Sequence, residues 1–285
     1  MSDDQIPEAD RVDGAPHPRE TRELFGQDAA QAAFLQASAS GRLHHAWMLT
    51  GPRGIGKATL AWRIARHLAA RDDSDAGGGL FSEAPPPSLE MAEDNPVWRR
   101  SLALAEPRIA LCRRAWDPKA KRLMTRISVD EIRRLKSAFA LSSADGGWRA
   151  AIIDSADELN REAQNALLKL LEEPPKNTVL LLVCHQPARL LPTIRSRCRE
   201  LRLLPLSAED LARALHQAEQ PIEEVEMLHR LSNGAPGDAV RLLAGDGPGL
   251  YRAILEIVGQ APRMDIGAIG GLAARCVGAA NAPRY

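Results

Sequence analysis

The run Gly51-Pro52-Arg53-Gly54-Ile55-Gly56-Lys57 has the spacing G-x-x-x-x-G-K of a phosphate-binding loop. Glycines let the backbone curl until successive N–H groups converge on an anion, and the lysine adds a point charge for the terminal phosphates. In a hydrolytic loop the next residue is Ser or Thr, whose hydroxyl ligates Mg²⁺; here it is Ala58. Thr59 lies about 100° further round a helix and does not replace it. Asp154 closes an apolar run and has the type and place of a carboxylate that holds a metal through water. The base expected beside it is absent, because Ser155 follows and a hydroxyl does not act as a base at neutral pH. Asp157 is offset and aimed elsewhere. The loop therefore predicts phosphate contacts from Gly51, Gly54, Gly56 and Lys57, with Asp154 as a degenerate acid and no metal site.

These residues need a strand before the loop and a helix after it. Residues 43–50 form a short apolar run, and 57–70 carries Leu60, Ala61, Ile64, Ala65 and Leu68 on one helical face. A leading helix is predicted over 24–40. The segment 72–107 holds Gly77-Gly78-Gly79 and Pro85-Pro86-Pro87 and reads as a partly disordered insert. Ser128 and Glu131 form a capping box for a helix presenting Ile132, Leu135 and Phe139. Apolar runs at 148–153 and 178–183 read as strands buried on both faces, separated by a helix over 161–171. A last strand is expected near 200–204. Strands alternating with helices imply an α/β fold with a parallel sheet. From Ser207, paired with Asp210 in a second capping box, the pattern is helical: 209–217, 223–231, 237–243 and 250–258.

Composition narrows the function classes. Lys plus Arg equals Asp plus Glu at 37 each, so the chain lacks the basic excess of a protein that binds DNA alone, and any nucleic-acid contact is local or shared. A length of 285 residues suits two domains. Cys112, Cys184, Cys198 and Cys276 form no C-x-x-C pair, so neither a disulfide framework nor a zinc knuckle is indicated. No apolar run has the length of a membrane span. Residues 1–19 are polar, lack the apolar core of a signal peptide, and read as a disordered tail on a cytoplasmic protein.

Two further stretches carry a resemblance. Asn165-Ala-Leu-Leu-Lys-Leu-Leu-Glu-Glu-Pro-Pro175, and after one more strand Thr193-Ile-Arg-Ser196-Arg197-Cys198, are similar to the signature of bacterial clamp-loader subunits, AAA+ proteins of DNA polymerase III. The similarity runs over about 24–243. Within that family the choice lies between an ATP-hydrolysing gamma/tau type, the Mg-ATP motor, and an inert delta-prime type. The resemblance implies that Arg197 reaches across a subunit boundary as an arginine finger to a neighbour's ATP. It also implies a sensor-2 arginine in a Gly-x-x-Arg-Asp-Ala pattern. The matching stretch is Gly234-Ala-Pro-Gly237-Asp238-Ala239, with Gly237 in the arginine's place. Magnesium ligand, catalytic glutamate and sensor-2 arginine are all missing, which favours the inert type.

The expected organisation follows: a tail over 1–19, an AAA+ P-loop domain over 20–205 with the insert at 72–107, a helical lid over 206–244, and an abbreviated collar segment over 245–285. The family's four-cysteine zinc module is replaced by the insert, so no zinc is expected. No nucleotide is required, although weak ATP or ADP binding is compatible with the loop. The implied partners are gamma/tau and delta subunits, with the sliding clamp and primed DNA reached through the complex, and no membrane.

Overall fold

The structure is a computed structural model that describes residues 7–41, 43–71, 88–141, 147–262 and 265–276. The strands are β1 (Ala46–Thr50), β2 (Ile109–Cys112), β3 (Trp116–Asp117), β4 (Arg122–Leu123), β5 (Arg149–Ile153), β6 (Thr178–Val183) and β7 (Arg199–Arg202). Five of them form one sheet in the order β2-β5-β6-β1-β7. Every pairing in it is parallel. β3 and β4 make a separate antiparallel hairpin.

The helices of this unit are α1 (Asp28–Ala39), α2 (Lys57–Ala70), α3 (Pro96–Leu102), α4 (Val129–Leu141), α5 (Arg161–Glu172) and the short α6 (Pro192–Arg195). Side chains alternate across a strand, so β1 feeds two cores. Trp47 and Leu49 join Phe34, Leu60, Ile64 and Leu68 under α1 and α2. Ala46 and Met48 join Ile132, Leu135, Leu167 and Leu170 under α4 and α5. Because both faces are covered, β1, β5 and β6 are buried at every position, which is why they read as continuous apolar runs. Asn160 caps α5 by accepting from the Ala163 N–H at 2.8 Å.

The lid consists of α7 (Ala208–Gln217), α8 (Val225–Ser232) and α9 (Pro236–Ala244) around Leu211, Leu215, Leu228, Ala239 and Val240. Ser207 caps α7, accepting from the Asp210 N–H at 3.1 Å. Then follow α10 (Gly247–Gly259), which buries no side chain, and α11 (Ile266–Cys276).

Two expectations are corrected. Residues 7–19 are not a disordered tail: His17 is fully buried, and Glu8 and Asp10 pair with Arg113. Of the insert at 72–107, residues 88–107 are described. Its residues 72–87 lie outside the described residues, as do 1–6 of the tail and 277–285 of the collar segment. Past 87, however, comes α3, with Val97 and Trp98 buried and the Arg66 guanidinium 3.9 Å from the Trp98 ring centre. The last strand of the sheet, β7, begins and ends earlier than 200–204. The edge strand β2, the hairpin and α11 add to the elements expected.

Candidate functional site

The phosphate-type loop joins β1 to α2 in backbone conformations that require glycine. Gly51, Gly54 and Gly56 have φ of +138°, +72° and +100°. A Cβ on Gly51 would meet the Leu203 carbonyl oxygen at 2.6 Å, and one on Gly56 would meet Leu24 Cδ1 at 2.7 Å. Lys57 begins α2 and is only 2% exposed. Its ammonium donates to the carbonyls of Gly51 at 2.8 Å and Pro52 at 2.5 Å. Burial lowers its pKa to about 8, against the pull of Asp157, Cys184 and Asp154. The lysine is thus turned onto its own loop.

Asp154 follows β5 directly and lines the same cleft. Burial pushes its carboxyl up to about 7, helped by the negative charges of Asp10 and Glu158. Ser155 takes the left-handed conformation, φ +58°, and its hydroxyl lies 3.3 Å from His185 Nε2. Asp157 does not line the cleft and accepts from the His185 backbone N–H at 2.9 Å. It braces the end of β6. Burial and the positive charge of Lys57 push the His185 imidazole down to about 4. No motif in the sequence marks His185, which lines this cleft, or Cys184 buried beside it. The available signal is topological: they follow β6, which pairs with β1, and ligand crevices of open parallel sheets form at such strand ends.

The residues around this cleft fit an anion better than they fit a metal. Ala58 lines it without a side-chain oxygen, and the Asp154 carboxyl is buried beside it. The glycine conformations are those of a phosphate cradle, but the set of oxygen donors that Mg²⁺ needs is broken at Ala58.

The lid closes directly on the loop. The Gly237 N–H donates to the Gly54 carbonyl at 2.9 Å. A Cβ on Gly237 would stand 2.8 Å from Gly54 Cα, and one on Gly54 would stand 2.8 Å from the Asp238 nitrogen. Gly237 is therefore a close-approach glycine, packed against the loop backbone. Arg241, one turn along α9, lines the cleft and pairs with Asp238 of its own helix.

Arg197 is placed apart from these groups, just beyond α6, and does not line the cleft. Its guanidinium donates to the Thr193 carbonyl at 3.0 Å and pairs with Glu172 at 3.0 Å. The next residue, Cys198, packs inward against the α4–α5 core, and burial pushes its thiol up to about 12. Of the neighbouring arginines, Arg199 lies over the Trp47 ring at 4.9 Å. The structure thus gathers Gly51, Gly54, Gly56, Lys57 and Asp154 at one cleft and presents Arg197 at another surface.

A family model described as DNA polymerase III, delta subunit, matches residues 26–207. DNA polymerase III subunit delta' of Pseudomonas aeruginosa is 38% identical over 217 residues, covering 74% of this chain and 60% of that protein. The subunit delta' of Yersinia pestis is 34% identical over 231 residues, covering 78% of this chain and 58% of the relative. DNA polymerase III subunit tau of Escherichia coli is 29% identical over 245 residues, 86% of this chain and 33% of tau. The chain therefore spans about three-fifths of the length of the delta' relatives it matches.

Proposed function

The chain belongs to the delta-type clamp-loader subunits of DNA polymerase III, and from that premise we propose that it is an inert stator lending Arg197 to a neighbour's ATPase site. The observation that carries this reading is the opposed placement of two parts. The chain's own cleft has no hydroxyl at Ala58, no base at Ser155 and no room for an arginine at Gly237. Arg197 meanwhile sits outside that cleft, 38% exposed, on an anchored triplet. In trans, its guanidinium would offset the charge that develops on a transferring γ-phosphoryl group.

In this role the subunit needs neither bound nucleotide nor metal for its own part. It works in the cytoplasm, braced against gamma/tau and delta subunits, and meets the sliding clamp and primed DNA through the assembly.

The test is ATP hydrolysis by a reconstituted loader carrying Arg197→Ala in this subunit alone. Hydrolysis at the shared site should fall by about 10³-fold or more while size-exclusion shows the complex intact. An unchanged rate with an intact complex would sink the proposal. The gamma/tau-type relatives keep a motor reading in view. It requires the isolated chain to hydrolyse Mg-ATP in a manner lost in Lys57→Ala, whereas the stator requires no turnover.

A further inference from the structure

The N-terminal segment before α1 has no part in the function just proposed, yet it touches both domains at the cleft. On the core side, Glu8 accepts from Arg113 at 2.9 Å and from Arg19 at 2.7 Å. Asp10, with 1% of its side chain exposed, pairs with Arg113 and lies 3.2 Å from the buried His17. Arg19 Nε donates to the Leu102 carbonyl at 3.1 Å, at the end of α3. From α2, Arg66 reaches the Arg19 carbonyl, and Arg63 donates to the Arg22 carbonyl at 2.7 Å.

On the lid side, Val12 and Ala15 pack against the cluster of Leu211, Leu215, Leu228 and Val240. Gln220 donates to the Gly14 carbonyl at 2.7 Å. Gln217, at the end of α7, exchanges two hydrogen bonds with the Glu23 backbone, at 2.8 and 3.2 Å. Gly14 has φ +81°, and a Cβ there would meet Val240 at 3.4 Å, so the turn suits a close pass over α9. The segment ends at Leu24, whose side chain lies against loop Gly56.

We propose that residues 7–24 are an intramolecular strap, seated across the mouth of the P-loop cleft, which fixes the lid to the core and excludes nucleotide. Two independent features support closure. The strap brings apolar and charged contacts to opposite walls of one cleft, which a segment anchored to one domain alone would not do. It also sets Leu24 against loop Gly56 and lines the same cleft as the loop, with the Asp10 carboxylate close enough to act electrostatically on Asp154. A ligand that must displace the strap binds more weakly by the fraction of time the cleft is open. The idea deepens the inert-subunit reading and rests on it only for its biological meaning, because it concerns the isolated chain.

The experiment uses the full chain and two variants that loosen opposite ends: Val12→Asp with Ala15→Asp at the lid, and Arg113→Ala at the core. Amide hydrogen exchange reports the strap and α7–α9, and a fluorescent N-methylanthraniloyl ATP, with and without Mg²⁺, reports the cleft. In the wild type the strap amides should exchange at least about tenfold more slowly than an unstructured peptide. Each variant should lose that protection, and its nucleotide affinity should rise about tenfold or more over wild type. A freed strap with unchanged affinity overturns the closure. Wild-type strap amides exchanging like an unfolded peptide overturn the seating, and protection retained in both variants overturns the assigned anchors. Any of these failures leaves the Arg197 result in the assembled loader unaffected, so the two ideas fail separately.

Discussion

Lys57 and Arg197 are cations of one chain held in opposite ways. Lys57 is 2% exposed and bonded to two carbonyls of its own loop, with a pKa lowered to about 8 by burial. Arg197 stands 38% exposed, restrained by one backbone carbonyl and by Glu172, itself 51% exposed. An ammonium satisfied by its own backbone must break those bonds to meet a ligand. An arginine paired with a solvated carboxylate exchanges that partner at little cost, because exposed ion pairs contribute about 0–1 kcal/mol. The cleft of this subunit is thus organised around internal satisfaction, and the Arg197 corner around availability.

The strongest way to break that contrast is to rebuild the cleft. Gly237→Arg places the arginine that the family resemblance implies there, and Ala58→Ser places a hydroxyl directly after the loop lysine. The first should fail structurally, since even a Cβ at 237 comes within 2.8 Å of the Gly54 backbone. Overpacking of this kind costs about 1–3 kcal/mol, and the lid should undock from the loop. Ala58→Ser, at a half-buried position lining the cleft, should leave stability near wild type. Denaturant melts of both variants and their ATP turnover check this. A stable Gly237→Arg/Ala58→Ser chain that hydrolyses ATP would show that the cleft is one short step from an active site, and the contrast would be lost.

Asp154 offers a gentler probe of the same cleft. Its folded pKa is raised, to about 7, above the ordinary value of 3.8. Between those values the folded state holds more protons than the unfolded state, so this group's contribution falls as pH rises through the window. Asp154→Asn removes the ionisation, and should stabilise the chain relative to wild type more at pH 8 than at pH 5. The difference should be about 1–2 kcal/mol, below the full value of the shift because Glu158 beside it is also shifted up and shares the titration. Thermal melts at the two pH values decide. An equal effect at both would mean that Asp154 is solvated and the cleft open.

What the sequence made legible was what local pattern encodes. The loop glycines, the six-residue run of β6 and the cap at Ser207 are each set within a few residues. The strap was not legible, because its order comes from distant partners: Glu8 meets Arg113 across 105 positions and Gly14 meets Gln220 across 206. A polar, proline-containing segment without those partners looks like a tail. β2 was missed for a related reason. It has only four residues, Ile109–Cys112, and is fixed by parallel pairing with β5 rather than by a pattern of its own. Arg197 stood out only through the resemblance of its triplet. Its pairing with Glu172 depends on how α5 and α6 pack.

That pairing yields the smallest effect. Glu172→Gln keeps the length and the acceptor oxygen of the side chain but removes its charge. With both partners exposed, folding stability should change by less than about 0.5 kcal/mol. If Glu172 merely restrains Arg197, the assembled loader carrying Glu172→Gln should keep its affinity for ATP and lose only a few-fold in turnover. Glu172→Lys, which repels the guanidinium, should lose more. A loss in Glu172→Gln as large as that in Arg197→Ala would mean that the carboxylate itself takes part at the shared site. A loss in neither glutamate variant would mean that the triplet alone, anchored through Cys198, sets the direction of Arg197. The arginine's availability would then follow from the packing of the core beneath it and owe nothing to the surface charge beside it.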